Sequence, residues 1–284
     1  GEANENGALE TALIADLDSA ARTIDIAMYN LSLRRVEEAL ANAAARGVSV
    51  RYVTDSDDIN DPPLQRLKKA GIKITGDRRE SIMHHKFLVI DGALVWTGSL
   101  NLTGSGTYTD NNNFARFVSP EMAQNYTVEF EEMFLKDGFS TDGIANTPYP
   151  RFEISGIKVE NYFSPEDKIS RHLTPLLESA RGSIDLLAYS FTSDPLADAI
   201  LDRASAGVTV RGVFETQQYE SNTGGDFDRF KQAGLDVRLD ANDGLMHHKV
   251  MIIDRRVVIF GSYNYSNNAD RKNDENLVVI DDAG

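Results

Sequence analysis

Five side chains occur twice in this chain, in one order and at one spacing. His84, Lys86, Asp91, Ser99 and Asn101 spell H-x-K-x4-D followed by G-S-x-N, and His247, Lys249, Asp254, Ser262 and Asn264 spell it again. The offset is 163 residues at both ends of the pattern, since 247 − 84 and 264 − 101 give the same number. Four of the five histidines fall in the two copies. On a strand, residues i and i+2 share a face, so each histidine projects beside its lysine. An ammonium next to an imidazole repels a cation and makes a poor metal site. The same pair suits a phosphate, with lysine as fixed charge and histidine as nucleophile or proton donor. Ser and Asn add neutral donors, and Gly98 and Gly261 allow close backbone approach. His85 and His248 point the other way and are read as packing or supporting residues. One H-x-K is weak evidence. Two complete copies are read as two halves of one active site, with no metal.

The elements that must hold these residues repeat as well. Ile24–Tyr29 matches Ile184–Tyr189, and Arg46–Arg51 matches Ala206–Arg211, both at an offset of 160. Three extra residues therefore enter the second half, in the Gly-rich loop around 217–226. Each half reads as helix, strand, helix closed by a glycine (Gly47 or Gly207), strand, helix, short strand, the motif strand and two further strands. The motif strands are Lys86–Ile90 and Lys249–Ile253, each followed by a turn at Asp91-Gly92 or Asp254-Arg255. A helix over 120–135 lacks a counterpart and is expected to cross toward the second half. The polar, Gly/Pro-rich stretch 137–150 marks the boundary. The expected fold is an α/β (α+β) sandwich of two homologous halves, 1–142 and 143–284. Each is a mixed β-sheet flanked by helices, and the two pack as a pseudo-twofold internal dimer.

Bulk properties narrow the classes. At 284 residues, 41% hydrophobic and 26% charged, the chain is ordinary for a globular protein of one or two domains. The absence of cysteine excludes disulfides, thiolate metal sites and cysteine nucleophiles. No apolar run approaches the roughly 20 residues that span a bilayer, so stable membrane insertion is not expected. The polar start, Gly1–Gly7, is read as flexible and as no signal peptide. A secreted or periplasmic location is favoured over a cytoplasmic one. The formal charge of −15 repels duplex DNA and anionic membranes, so a phosphate site needs its positive charge concentrated locally. Arg78, Arg79, Arg255, Arg256, Arg271 and Lys272 lie near the motifs, with Arg255-Arg256 read as solvated turn residues.

With both motifs in view, the chain resembles the phospholipase D superfamily, whose signature is H-x-K-x4-D with a following G-S-x-N. The likeness covers both halves. It implies a metal-independent phosphodiesterase with no cofactor. One motif histidine attacks phosphorus to form a phosphohistidine, and the other protonates the leaving oxygen and then activates water. Lys86, Lys249, Asn101 and Asn264 would bind the phosphate oxygens, supported by Ser99 and Ser262, with Asp91 and Asp254 structural. The halves differ 14 residues beyond the motif glycine, where one has Glu275 and the other Asn112. In the family this position often holds the Nδ1 hydrogen of a motif histidine of the opposite half. Glu275 is therefore expected to orient His84 as nucleophile, and Asn112 to support His247 as general acid.

The short chain and the motif wording favour a nuclease, an endonuclease acting on single-stranded nucleic acid. A secreted phospholipase D acting on phospholipid headgroups is the alternative, and an inactive phosphoester-binding protein the third reading. A monomer suffices, because both motifs lie in one chain. Trp96, Tyr108, Tyr263 and Tyr265 flank the motifs and are weighed as base-stacking or core residues. Asp55, Asp57, Asp58 and Asp61 are read as a solvated acidic loop, and His172 as a solvated helix residue.

Overall fold

The protein is described by a computed structural model, in which residues 7–282 are described. The reading of Gly1–Asn6 as a flexible start lies outside the described residues. The first half runs α1 (Ala8–Ser19), β1 (Thr23–Met28), α2 (Arg34–Ala45), β2 (Ser49–Thr54), α3 (Pro62–Lys69), β3 (Lys73–Gly76), β4 (Lys86–Ile90), β5 (Leu94–Gly98), α4 (Gly104–Tyr108), β6 (Phe114–Val118) and α5 (Pro120–Lys136). The second runs β7 (Arg151–Ile154), β8 (Ile157–Ser164), α6 (Ser170–Glu178), β9 (Ser183–Ala188), α7 (Asp194–Ser205), β10 (Thr209–Phe214), α8 (Thr216–Ser221), α9 (Phe227–Gln232), β11 (Asp236–Leu239), β12 (Lys249–Ile253), β13 (Val257–Gly261), α10 (Asn267–Arg271) and β14 (Glu275–Asp281).

Two mixed sheets result. Their orders are β3-β2-β1-β4-β5-β6 and β11-β10-β9-β12-β13-β14-β8-β7, so the first six positions repeat. The register repeats too. Met28 pairs with Lys86 and Ile24 with Ile90, while Ala188 pairs with Lys249 and Ile184 with Ile253. The motif strand thus lies in the middle of each sheet, antiparallel to both neighbours. That position explains why Phe87, Leu88, Val89 and Ile90 are all buried.

The motif aspartates act at the far end of that strand. Asp91 accepts the backbone N–H groups of Ala21, Arg22 and Thr23 at 2.9, 2.7 and 2.9 Å. Asp254 does the same for Arg181, Gly182 and Ser183. Each carboxylate therefore tethers the connection between the first helix and first strand of its own half, well away from the histidines.

Helix α5 joins the halves. Ser119 caps it by accepting the N–H of Met122, and Pro120 opens it. Met122, Tyr126, Phe130 and Met133 follow at helical spacing and are fully buried. They pack against Ala27, Val53, Phe87 and Val89 of the first sheet and Val159, Phe163, Phe260 and Val278 of the second. The helix packs against both sheets, in line with the expectation that it crosses toward the second half. It fills a core that both sheets share, besides the two cores on the outer faces.

Three features were not anticipated from the repeat. The hairpin β7–β8, turned at Ser155-Gly156, has no counterpart among the described residues of the first half and lies against β14, extending the second sheet to eight strands. The inserted Gly-rich loop carries a short helix, α8. His172, read as solvated, is half-buried and stacks on Tyr162 with centroids 3.9 Å apart.

The shared core yields the first prediction. Phe130→Ala should lower the unfolding free energy by about 3–5 kcal/mol, read by urea denaturation. Unfolding should stay a single transition for both sheets. Two separated transitions would show that the halves are independent units.

Candidate active site

The two motif strands meet through backbone bonds that cross between the halves. The N–H of His84 donates to the carbonyl of Asp274 at 3.0 Å, and that of His247 to the carbonyl of Asn111 at 2.9 Å. Met83 and Asp274, and Met246 and Asn111, form isolated parallel bridges. The next residue along each partner strand is Glu275 or Asn112, so each is delivered to the histidine of the other half.

The contacts follow. His84 Nδ1 lies 2.8 Å from Glu275 Oε2, and His247 Nδ1 lies 2.8 Å from Asn112 Oδ1. Asn112 Nδ2 donates to the carbonyl of Gly106 at 2.9 Å, and Asn112 Oδ1 accepts from the Ser99 hydroxyl at 2.8 Å. That amide is therefore turned with its oxygen toward His247. In both rings Nδ1 carries the hydrogen, and Nε2 presents a lone pair.

Lys86 and Lys249 are fully buried. Each ammonium donates to the carbonyl of its motif histidine, at 2.7 and 2.8 Å. Each also lies over a tyrosine, Lys86 at 5.2 Å from the Tyr29 ring centre and Lys249 at 4.4 Å from that of Tyr189. The same tyrosines meet the histidines edge-on, at 5.3 Å for Tyr29–His84 and 4.5 Å for Tyr189–His247. Tyr29 and Tyr189 were not among the residues singled out in the sequence. Their signal was present, since they occupy matching positions of the repeat. Of the four aromatic candidates, Tyr263 and Tyr265 are wholly in the core. Trp96 donates its ring N–H to Asp16, and Tyr108 bonds Glu10.

Asn101 and Asn264 are half-buried, and in each the Oδ1 atom has no hydrogen-bond partner. The unbonded atom in both copies is an acceptor, so only the Nδ2 group of each amide can donate to a phosphate oxygen. Gly98 and Gly261 are close-approach positions. A Cβ there would come within 2.2 Å of the carbonyl oxygens of Asn113 and Asn276, the residues after Asn112 and Glu275.

The electrostatics are those of an anion site. Burial, then Lys86 and Lys249, hold His84 well below an ordinary imidazole. Burial, then Lys249, Lys86 and His84, do the same to His247. Burial pushes Lys86 down to about 7 and Lys249 well below the usual lysine range. Burial also pushes Glu275 up to about 7, against the pull of Lys86, the Ser262 hydrogen bond and Lys249. A phosphodiester anion between the ammoniums reverses this field, restoring charge to the lysines and raising the histidines. Arg78, Arg79 and Arg256 take no part, being paired with Asp137, Asp142 and Asp281. Among the described residues no group of three or more His, Asp or Glu side chains is placed to hold a metal ion.

The acidic loop after β2 is less solvated than its composition implied. Asp55 is buried and accepts the N–H groups of Asp57 and Met83. Asp58 accepts from Asn30, and burial, then Asp61, Asp55 and Asp57, raise it to about 6. Around the second tyrosine, Glu215 and Asp110 play the corresponding part. Both walls of the site are therefore polar and acidic.

Comparison with known proteins agrees with the repeat. A family model described as cardiolipin synthase, PLD-like domain, matches residues 13–134 and 173–284. A mitochondrial cardiolipin hydrolase of Chlamydomonas reinhardtii is 31% identical over 173 residues, 52% of this chain and 77% of that protein. A phospholipase D of Rickettsia bellii is 32% identical over 146 residues, 49% of this chain and 72% of its own length. The crystal structure of a phosphatidylserine synthase from Haemophilus influenzae superimposes on 97% of this chain and 80% of its own, with a TM-score of 0.76 and 14% identity, and so shares the fold.

Anion binding is directly measurable. Inorganic phosphate should raise the melting temperature, by an amount equivalent to about 2.7 kcal/mol when it is present at 100 times its Kd. Lys86→Met and Lys249→Met should each remove most of that rise. A rise that persists in the double variant would place the anion elsewhere.

Proposed function

The chain belongs to the phospholipase D superfamily, and we propose that within it the protein cleaves single-stranded nucleic acid endonucleolytically, through a phosphohistidine on His84 and without a metal ion. It is a phosphodiesterase of that superfamily; the substrate and the division of roles are our reading. The observation that carries the roles is the 2.8 Å contact of His84 with Glu275, set against the contact of equal length between His247 and a neutral amide. A carboxylate at Nδ1 stabilises the positive charge that grows on an attacking imidazole. An amide does so less and leaves its histidine freer to give up a proton.

The steps balance as follows. His84 Nε2 forms the N–P bond as the P–O bond to the leaving group breaks, and His247 gives that oxygen its proton. His247 then takes a proton from water, the resulting hydroxide attacks phosphorus, and the N–P bond breaks to release His84. Lys86 and Lys249, buried beside the histidines, would hold the non-bridging oxygens throughout, with the Nδ2 groups of Asn101 and Asn264 as further partners. Two fixed ammoniums supply the charge that a metal would otherwise bring.

Polar walls support the nucleic-acid reading. The segments beside the site hold Ser56, Asp57, Asp58 and Asn60 on one side and Gln217, Gln218, Ser221 and Asn222 on the other, with Tyr29 and Tyr189 as rings on which bases could stack. Such polar walls do not favour entry into an apolar lipid surface. The second reading, hydrolysis of a phospholipid headgroup, is favoured by the names of the relatives.

Two predictions test these readings. With EDTA present, a labelled single-stranded oligonucleotide should be cut, and phosphatidylcholine or cardiolipin vesicles should not. Cleavage of lipid alone would exchange the two readings, and loss of cutting on adding EDTA would contradict the metal-free chemistry. His84→Ala and His247→Ala should each lower kcat by at least about 10³-fold, and Glu275→Gln by about 10²–10⁴-fold. Acid-labile phosphate should not accumulate on His247.

The second concerns pH. His247 must carry a proton to act, and its pKa lies below the ordinary 6.5. The alkaline limb of kcat/KM, which reports the free enzyme, should therefore fall below pH 6.5. The limb of kcat should lie higher, because the bound phosphate raises the histidine. Limbs in the reverse order would refute the acid role.

A further inference from the structure

Directly behind His84 lies a second histidine that the steps above do not use. His85 is fully buried. Both of its ring nitrogens are engaged, Nε2 at 2.9 Å from Glu129 Oε1 on α5 and Nδ1 at 3.3 Å from Asn276 Nδ2 on β14. Phe87 and Phe163 meet the ring edge-on at 5.2 and 5.9 Å and fix its plane.

The tautomer follows from the neighbours. Asn276 Oδ1 already accepts from the Thr97 hydroxyl at 2.7 Å and the Tyr126 hydroxyl at 3.1 Å. Its amide nitrogen must then face His85 and donate to Nδ1. Nε2 carries the ring hydrogen and donates to Glu129. Burial pushes His85 down to about 3. Glu129 is raised well above the usual carboxylate range, by burial first and then by Asp274 and Glu132, and it also bonds Glu166. The clamp is thus an uncharged ring near neutral pH.

Asn276 is where this matters for the chemistry. It directly follows Glu275, and its N–H donates to the Ser262 hydroxyl at 3.0 Å, the same side chain that bonds Glu275. One amide therefore ties β5 and α5 of the first half to the start of β14 in the second. The other copy is built more loosely. His248 is half-buried and makes one ring hydrogen bond among the described residues, from Nδ1 to Asn113 Oδ1 at 3.2 Å. The more constrained arrangement is on the side of the carboxylate.

We infer that His85, clamped between Glu129 and Asn276, is a positioning residue for the attacking histidine, holding Asn276 and through it the Glu275 carboxylate against His84. The inference rests on the reading of His84 as nucleophile.

Bis(p-nitrophenyl) phosphate in a stopped-flow burst assay separates the two ideas. His85→Asn keeps an acceptor where Nδ1 was, and His85→Gln keeps a group only where Nε2 was. His85→Gln should slow the burst by roughly 10–100-fold with KM unchanged, the scale of a small misplacement. His85→Asn should recover most of that rate. Glu129→Leu should slow the burst, while Glu129→Gln, whose carbonyl still accepts from Nε2, should rescue it. His248→Gln should leave the burst at the wild-type rate. A wild-type burst in both His85→Gln and Glu129→Leu, with only the melting temperature lowered, would reduce His85 to packing and overturn the inference. A burst surviving in His84→Ala would instead overturn the nucleophile assignment.

Discussion

Everything in the site depends on two backbone hydrogen bonds, His84 N–H to Asp274 and His247 N–H to Asn111. Each fixes the motif strand of one half against the strand that carries the orienting residue of the other. A one-residue slip would turn Glu275 to the opposite face of β14, because side chains alternate, and would move Asn112 away from His247. The register is held by features remote from the chemistry. These are the core around α5, the tethers made by Asp91 and Asp254, and Gly98 and Gly261, which let β6 and β14 approach so closely.

The second constraint is charge. A protein with a formal charge of −15 buries two ammoniums beside two imidazoles and gives them one carboxyl, Glu275, as the nearest counter-charge. Desolvation of each charge is unfavourable, and the protein offsets it through carbonyl oxygens and tyrosine faces rather than ion pairs. The result is a site that gains most from an anion, since its arrival relieves the repulsion between the lysines. The acidic walls outside keep that attraction local.

Much of this was legible in the sequence, for identifiable reasons. The motif recurs at one spacing, the glycines after α2 and α7 mark helix ends, and the residue 14 beyond each motif glycine separates the copies. What was missed depends on strand pairing. Tyr29 comes beside His84 only because β1 pairs with β4 so that Met28 faces Lys86, and no local pattern states that pairing. The bonds of His85 involve residues 44 and 191 positions away. The hairpin β7–β8 is a different case. Phe152, Ile154, Ile157 and Val159 alternate around Ser155-Gly156, a local signal with nothing to match it among the described residues of the first half.

The single chain connecting α5 to β7 has one more consequence. Two identical subunits meeting on a twofold axis must place the same side chain at both orienting positions. Their site would be indifferent to which way round the substrate enters. Joining the halves covalently frees each copy to change alone, and here one holds glutamate where the other holds asparagine. A cleft built that way has a direction, and a polymer lying in it can be read with a single polarity.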